Sequence, residues 1–370
     1  MKRDLAVKVA VAALALVGAA WFLSSTRTAS PERERGQPML PGLESRAEEV
    51  GAVEVLRGNA TVRLERQPNG SWAIATNDSY PARGELVRAM LVSLAGLTVD
   101  DRMTAKKDRH GELGLAWPDA EGKARLVRFL SAKPDAEPVA ELVVGDERFS
   151  PDAVFVRLPS QDQSWRALGR VQVPADAMAW MDRAMVSLPA GETTAVAFDG
   201  LTVTAPPQAE PAAPGPRPAF VPTVTDAAKA RWTDGQIDQA KTALPSFLER
   251  LEFDGVRRAR DGDGDPKWSA TFETKSATVA LKGREESDGV WFSLSALPRP
   301  GFVPSEPPKY PGDPHVPDWT KLDQRFAGWE FKMPSWKADS LRRLRAKEAP
   351  AAGADPDSAP TGLPGLTPAR

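Results

Sequence analysis

The chain of 370 residues contains no cysteine and only two histidines and two tyrosines. Without cysteine it can form no disulfide, no thiolate nucleophile, no zinc–cysteine site and no iron–sulfur cluster. The two histidines, His110 and His315, lie far apart in the sequence. They leave little material for a Ser-His-Asp relay or a multi-histidine metal centre. These absences predict a protein that is not an enzyme and that uses no cofactor.

An excess of charge of one sign is also missing, because 48 basic residues face 50 acidic ones. Nucleic-acid binding requires a concentrated basic surface, so no nucleic-acid partner is expected. Apolar residues make up 41% of the chain and charged residues 26%, which is typical of a folded body with a well-solvated surface. The length provides for two globular domains and their linkers.

One long apolar run is present, at the N-terminus. It extends from Leu5 to Leu23 and is interrupted only by Lys8. As a helix it would be ~28 Å long, close to the thickness of the hydrocarbon core of a bilayer. Trp21 and Phe22 stand at its distal end, where aromatic rings favour the headgroup region. Residues 1–25 are therefore predicted to be an uncleaved transmembrane signal anchor in the inner membrane.

Two alternatives remain open for this segment, a cleaved signal peptide and a buried core helix. A signal peptide would have a shorter apolar core and a small-x-small cleavage site, which residues 26–30 match poorly. A core helix would show a polar face, which this run lacks. Positive charges flank the run on both sides, so they barely decide its orientation. The short N-terminal flank favours an N-in anchor with an extracytoplasmic, periplasmic body.

The rest of the chain shows short alternating apolar segments and a few helical ones. It predicts an α+β fold of antiparallel, β-rich repeated modules, each packing a helix on a sheet. The predicted divisions are a linker at 26–49, a first α+β module at 50–204, a Pro/Ala-rich linker at 205–222, a second α+β module at 223–300, a Pro/Trp-rich segment at 301–345 and a disordered tail at 346–370.

Local patterns predict individual elements of these modules. Asn69-Gly70 lies between two strand-like segments and predicts a hairpin. Pro81 is predicted to occupy the first turn of a helix whose apolar face covers residues 86–94. A second helix is predicted at 175–186. Residues 94–101 and 248–255 share a pattern in which a helix ends on a leucine and a strand then runs into an acidic turn, which favours a duplicated module.

Nine short motifs in this order resemble the DUF4340 family of uncharacterised bacterial envelope proteins, over roughly residues 40–300. They are Pro41-Gly42-Leu43, Gly70-Ser71-Trp72, Tyr80-Pro81-Ala82, the Leu94/Leu97/Asp100 step, the turn at 110–118, Val143-Val144-Gly145, Val154-Phe155-Val156-Arg157, Gln163-Ser164-Trp165 and Ala179-Trp180-Met181-Asp182. Phe155 stands where the family commonly has tyrosine.

The resemblance implies one N-terminal membrane span and a β-rich extracytoplasmic body, often associated with ABC transporters of the gliding-motility auxiliary type. No catalytic residues are known for the family, so none is carried over. The expected partners are the membrane, through Leu5 to Leu23, and a protein such as an ABC transporter permease.

The sharpest local constellation is the acidic run Asp261, Asp263 and Asp265, which resembles the start of an EF-hand loop. Such a loop needs glycine at its sixth position and glutamate at its twelfth, but Pro266 and Phe272 stand there. A solvated hairpin loop is therefore the favoured interpretation, with calcium binding as the alternative.

Two other polar positions are interpreted as structural. Asp100 and Asp101 are adjacent, and successive strand residues point to opposite faces unless a bulge intervenes, so they are assigned to a turn or cap rather than an acid/base pair. His110 lies in a charged turn and is expected to be exposed.

Eleven tryptophans stand against two tyrosines. Trp72, Trp268 and Trp291 fall on predicted strands and are assigned to the core. Trp319, Trp329 and Trp336 lie in an irregular segment and are the candidates for a partner interface. The sequence thus favours a membrane-anchored interaction protein, accessory to an ABC-type transporter or envelope machine. The alternatives are an envelope glycan- or polymer-binding module and a hydrolase with an unrecognised site.

Overall fold

The computed structural model describes residues 35–117, 123–133, 136–206, 219–259, 266–306, 308 and 312–345. They divide into two compact units between Asp182 and Arg183. The predicted anchor, Leu5 to Leu23, and the predicted tail at 346–370 lie outside the described residues. Among the described residues, no helix is both long and apolar enough to cross a bilayer.

The first unit is built on one antiparallel sheet. Its strands are β1 (Val50–Arg57), β2 (Ala60–Arg66), β3 (Trp72–Ile74), β4 (Tyr80–Ala82), β5 (Thr98–Arg102), β6 (Arg125–Ser131), β7 (Ala140–Phe149), β8 (Asp152–Arg157) and β9 (Ser164–Leu168). Their order in the sheet is β4-β3-β2-β1-β6-β7-β8-β9-β5. Strand β2 shows why these segments are strands, since Val62 and Leu64 are buried while Arg63 and Glu65 point outward and pair at 2.7 Å.

The helix of the first unit, α1 (Gly84–Ala95), connects β4 to the edge strand β5. Val87, Met90 and Leu94 are its buried residues and belong to the apolar face that the periodicity predicts. Leu86 and Leu91, which the same pattern places on that face, are half-buried. Pro81 lies within β4 rather than in the first turn of the helix, because β4 pairs with β3 and delays the start of α1 to Gly84. The unit also contains 3-10 helices at Ala47–Glu49, Ala75–Asn77, Lys107–Leu113 and Ala177–Trp180.

Residues 35–49, which the composition assigns to a linker, are part of the first unit. The amide of Gly36 donates to the carbonyl of Val99, and that of Met39 donates to the carbonyl of Leu97. These bonds cover the open edge of β5. Met39 and Leu43 are buried, and their burial holds the segment against the first unit despite its charged and proline-rich composition.

The second unit has its own antiparallel sheet. Its strands are β11 (Thr193–Phe198), β12 (Leu201–Thr204), β13 (Val221–Val224), β15 (Gly255–Arg258), β16 (Trp268–Thr274), β17 (Ala277–Glu286), β18 (Gly289–Pro298) and β19 (Trp329–Lys332), in the order β13-β12-β11-β16-β17-β18-β19-β15. A small separate sheet joins β10 (Ala184–Val186) to β14 (Leu251–Glu252). The core of the second unit contains Phe272, Phe292 and Phe331, which lie on strands of the larger sheet.

The helices of the second unit are α2 (Asp234–Ala243), α3 (Trp319–Phe326) and α4 (Ser335–Arg345), with 3-10 helices at Asp226–Arg231 and Phe247–Arg250. A capping box begins α2, in which Thr233 and Gln236 satisfy each other's backbone amides. Asp318 caps α3 by accepting a hydrogen bond from the amide of Lys321 at 3.2 Å.

The two sheets share one pattern of connections, although the first has nine strands and the second eight. In each unit a meander of strands is followed by a helix, an edge strand at the far side of the sheet, and a second meander that starts beside the first strand. The helix-to-strand steps at 94–101 and 248–255 lead to the equivalent edge strands β5 and β15. The sequence pattern that these two steps share therefore falls at corresponding places of the two units.

Three further predictions differ from the structure. Residues 301–345, assigned to a Pro/Trp-rich segment beyond the second module, include β19, which pairs with β15 and β18 in the sheet of the second unit. Strands β12 and β13 flank the Pro/Ala-rich segment at 205–222 and pair with each other, so that segment connects neighbouring strands of one sheet and the division lies upstream of it. The helix predicted at 175–186 is instead a short 3-10 helix, Ala177–Trp180, followed by β10. Met185 and Val186 are buried in strand β10 rather than on a helix face.

Candidate functional site

One concave surface of the first unit is an apolar groove of about 440 Å³ beside α1. We call it the α1 groove. Leu43 and Ala47 contribute from the segment before β1, and Leu91, Val92 and Ala95 contribute from the outer side of the helix. Val92 is 67% exposed, which is unusual for a valine on a helix that already has a buried face. Both its volume and its apolar lining are typical of binding sites.

The hairpin between β2 and β3 forms the opposite wall. Gly70 has a φ of +81°, and the amide and hydroxyl of Ser71 both donate to the Asn69 side chain, at 3.0 and 2.7 Å. This turn, which the Asn-Gly signal predicts, places the half-buried ring of Trp72 in the wall of the groove. Gly84 at the start of α1 faces that ring, since a Cβ there would lie 3.5 Å from Trp72.

Charged side chains stand at the rim of the α1 groove. Glu44, Glu48, Arg66 and Arg88 line it, and Arg66 pairs with Glu48 at 3.3 Å. Arg88 is exposed on α1 and forms no ion pair with any described residue. The groove therefore offers an apolar floor with an available positive charge at its edge.

Asp100 and Asp101 converge on one arginine because β5 has a register shift at Asp100. Val99 pairs with Ala167 and Asp101 pairs with Arg166, which leaves Asp100 as the extra residue of a bulge. Buried Asp100 accepts from Arg166 at 2.6 Å and from Arg35 at 2.7 Å, while Asp101 lies 3.5 Å from Arg166.

This arrangement corrects the assignment of the pair to a turn or cap. The hydrogen bond from Arg166, and then that from Arg35, hold the pKa of Asp100 below its usual range. Asp100 therefore stays ionised and ties the segment that begins at Arg35 to strands β5 and β9.

His110 is buried, contrary to the expectation of an exposed turn residue. Its Nε2–H donates to the carbonyl oxygen of Asp162 at 2.8 Å, which fixes the 3-10 helix Lys107–Leu113 to the loop before β9. Its role in the fold is that of an anchor for this loop.

The tryptophans proposed for a partner interface occupy different environments. Trp319 is buried and donates to the hydroxyl of Ser276 at 3.0 Å. Trp329 is buried beneath the guanidinium of Arg258, whose Cζ lies 3.8 Å from the ring centroid. Trp336 is 57% exposed on α4. Two of the three indoles are therefore buried, one on helix α3 and one on strand β19. Of the three, only Trp336 is accessible to a partner.

The core assignments hold for two strand tryptophans, since Trp268 and Trp291 are buried, while Trp72 is half-buried in the α1 groove. The acidic run Asp261, Asp263 and Asp265 lies outside the described residues. The described part of the chain contains no group of three or more His, Asp or Glu side chains placed to hold a metal ion.

The family model described as "Domain of unknown function (DUF4340)" matches residues 72–269, more than half of the chain. The chain belongs to the DUF4340 family. The DUF4340 match begins in β3 of the first unit and ends in β16 of the second, so it includes parts of both sheets. No curated protein and no solved structure is a match to this chain.

Sequence reasoning on this DUF4340 chain missed the α1 groove, although its signals are present. The apolar residues of α1 extend beyond one face, since Leu91 and Val92 are adjacent and cannot both point to the core. Trp72 was assigned to the core because it lies on a predicted strand. Whether the Trp72 ring on β3 is covered or lines a groove depends on where residues 43–48 lie. The local sequence pattern does not reveal that placement.

Proposed function

We propose that this protein is a non-enzymatic, membrane-tethered interaction protein whose body lies outside the cytoplasm, beside an ABC-type transporter or envelope machine. The observation that carries the proposal is the α1 groove, because it combines an apolar floor, an exposed valine and an available arginine. The tether is the apolar run from Leu5 to Leu23, whose length suits one membrane span.

The occupant that best fits the groove is an amphipathic helix of a partner protein. Helix α1 has 12 residues and is ~18 Å long, enough to lie beside about three turns of a second helix. The apolar face of that helix would cover Leu91, Val92 and Trp72, and an acidic side chain would reach Arg88. Helix-in-groove recognition of this kind uses anchors spaced three and four residues apart.

The groove supports a protein partner better than an envelope glycan. Glycan binding would use a row of exposed, coplanar tryptophans. The described part of each unit has only one tryptophan that is about half exposed, Trp117 in the first unit and Trp336 in the second. Trp72 presents only part of its ring, beside aliphatic side chains and the charged side chains of the rim.

The test is photo-crosslinking in intact membranes, with a benzophenone amino acid at position 92 or at position 303. Val303 is a matched control because it is an exposed valine of the second unit. We expect position 92 to crosslink to a permease subunit and position 303 not to do so. Val92→Glu should abolish co-purification of that subunit from detergent extracts, whereas Val303→Glu should not, and both should fold normally because the sites are exposed.

Equal recovery of the permease with Val92→Glu would remove the groove from the interaction. Repeated absence of any permease subunit from the wild-type sample would contradict the transporter association itself.

A further inference from the structure

Arg157 is a buried cation without an ion-pair partner among the described residues. It is the last residue of β8, its cross-strand neighbours are Val143 and Ser164, and only 6% of its surface is exposed. A charged side chain in such a position is costly unless it is paired. Its burial lowers the pKa of Arg157, and the charge of Asp162 opposes that effect only in part.

The buried carboxylates of the described chain are neutralised by arginines. Glu330 accepts from Arg257 at 3.0 Å and from Arg284 at 2.7 Å, and Asp100 has two arginine partners. Asp162, whose charge acts on Arg157, is itself 3.5 Å from Lys107 and half exposed. Two buried cations of the described chain, Arg157 and Lys337, form no ion pair with a described residue. The ammonium of Lys337 donates to the carbonyl of Phe247 at 2.5 Å, whereas the hydrogen bonds of Arg157 are long.

The hydrogen bonds of Arg157 leave much of its guanidinium available. Nε donates to the carbonyl of Leu115 at 3.4 Å and Nη1 donates to the carbonyl of Leu158 at 3.5 Å, and both distances are long. Nη2 has no acceptor among the described residues. A guanidinium has five N–H donors, and its fork matches the two oxygens of a carboxylate.

Trp117 lies directly over this group. The Arg157 Cζ is 5.5 Å from the centroid of the Trp117 ring, and Trp117 is 49% exposed. The charge therefore lies one aromatic ring below the surface. The half-exposed ring also offers a ligand an apolar face.

The backbone around the pair is held in place. Leu115 is buried in a cluster with Val143 and Phe155, and His110 bonds the same loop to Asp162. Strand β7 packs so closely under the loop that a Cβ at Gly145 would lie 2.4 Å from the carbonyl oxygen of Leu113. Arg157 and Trp117 are consequently presented by a rigid scaffold, as a preformed binding site requires.

We propose that Arg157 and Trp117 form a carboxylate-binding site, in which the guanidinium pairs with the carboxylate of an acidic ligand and the indole packs against its aliphatic part. A carboxylate is favoured over a phosphate because a single guanidinium supplies little positive charge, and Lys107 is already 3.5 Å from Asp162. The site is separate from the α1 groove, so it stands whether or not the transporter proposal does.

The experiment is titration calorimetry on the full-length chain in detergent. The probes are the blocked peptide Ac-Ala-Glu-Glu-Ala-NH2, its Gln-Gln analogue, and glutarate as a free small carboxylate. We expect Arg157→Met to weaken binding of the Glu peptide by about tenfold to a hundredfold, as for loss of one charge-assisted pair. Arg157→Lys should retain part of the affinity, because it keeps the charge and loses the fork.

Arg148→Met is the matched control, since Arg148 also stacks on an aromatic ring, Phe155, at 5.4 Å, but is exposed. The affinity of Arg148→Met for the Glu peptide should equal that of the wild type. Arg157→Met should be at least as resistant to urea as Arg148→Met, because it removes an unpaired buried charge.

Tight binding of the Glu peptide alone would indicate a side chain of a partner protein, and equally tight binding of glutarate would indicate a free small carboxylate. Three results would overturn the proposal. The first is no measurable binding of the Glu peptide or of glutarate below about 1 mM, and the second is binding of the Gln-Gln peptide as tight as that of the Glu peptide. The third is a urea midpoint of Arg157→Met below that of Arg148→Met, which would assign Arg157 a structural role.

Discussion

At the scale of single residues, the second unit contains a lysine in an apolar setting. Lys337 on α4 is buried, its Nζ donates to the carbonyl of Phe247 at 2.5 Å, and the same nitrogen lies 4.2 Å from the centroid of the Phe247 ring. Burial lowers the pKa of Lys337 to about 8, although Glu252 and Glu249 act in the opposite direction. The unfolded chain binds this proton more strongly than the folded one.

The consequence is a gain in stability at alkaline pH. Between the folded pKa of about 8 and the ordinary value of 10.5, the unfolded state holds the proton and the folded state does not, so the free energy of unfolding rises with pH. From pH 7 to pH 10.5 the contribution of Lys337 should be on the order of 3 kcal/mol.

Urea unfolding at several pH values checks this for the wild type, Lys337→Met and Lys241→Met. The rise should disappear in Lys337→Met and persist in Lys241→Met, whose lysine is partly exposed and pairs with Asp238 at 2.6 Å. A pH dependence of Lys337→Met that matches the wild type would contradict the assignment.

At the scale of elements, the β2–β3 hairpin is specified by its own turn. Gly70 has a φ of +81°, and a Cβ there would meet no atom within 4 Å. Gly70→Ala should therefore lower the free energy of unfolding by about 1 kcal/mol through backbone strain alone, without a steric clash.

Gly235→Ala is the control for this substitution. Gly235 lies in the first turn of α2, and a Cβ there would also meet no atom within 4 Å. Alanine is the better helix former, so the change should be neutral or stabilising by up to about 1 kcal/mol. Chemical denaturation followed by circular dichroism measures both variants, and a shift in the same direction for both would disprove the backbone argument.

At the scale of the whole molecule, the chain combines two β-sheet units of the same pattern of connections with an apolar N-terminal run. The proposed placement of the body outside the cytoplasm is tested by fusions at the C-terminus. Alkaline phosphatase should be active and green fluorescent protein dark in the full chain, because the phosphatase requires an oxidising compartment. Deletion of residues 5–23 should reverse both signals. Fluorescence with an inactive phosphatase in the full chain would place the body in the cytoplasm.

Local chemistry was sufficient for much of the fold. Period-two alternation identified β2, the Asn-Gly pair identified its hairpin, and the spacing of Val87, Met90 and Leu94 identified the buried face of α1. The helix predicted at 175–186 failed because apolar residues alone do not distinguish a helix from a short buried strand such as β10. The strand, the hairpin and the helix face depend on residues that are close in sequence. They can therefore be predicted without knowledge of the tertiary structure.

The absence of cysteine, the balanced charge, the α+β class and the family were determined by the sequence itself, since they depend on composition and local order. Only the tertiary structure decided which polar and aromatic groups come together. A register shift in β5 brought Asp100 and Asp101 to Arg166, and α3 and β19 buried Trp319 and Trp329. Long-range packing also left Arg157 without a counter-ion in the described part of the chain and left the α1 groove open, because burial and pairing are set by residues that are distant in sequence.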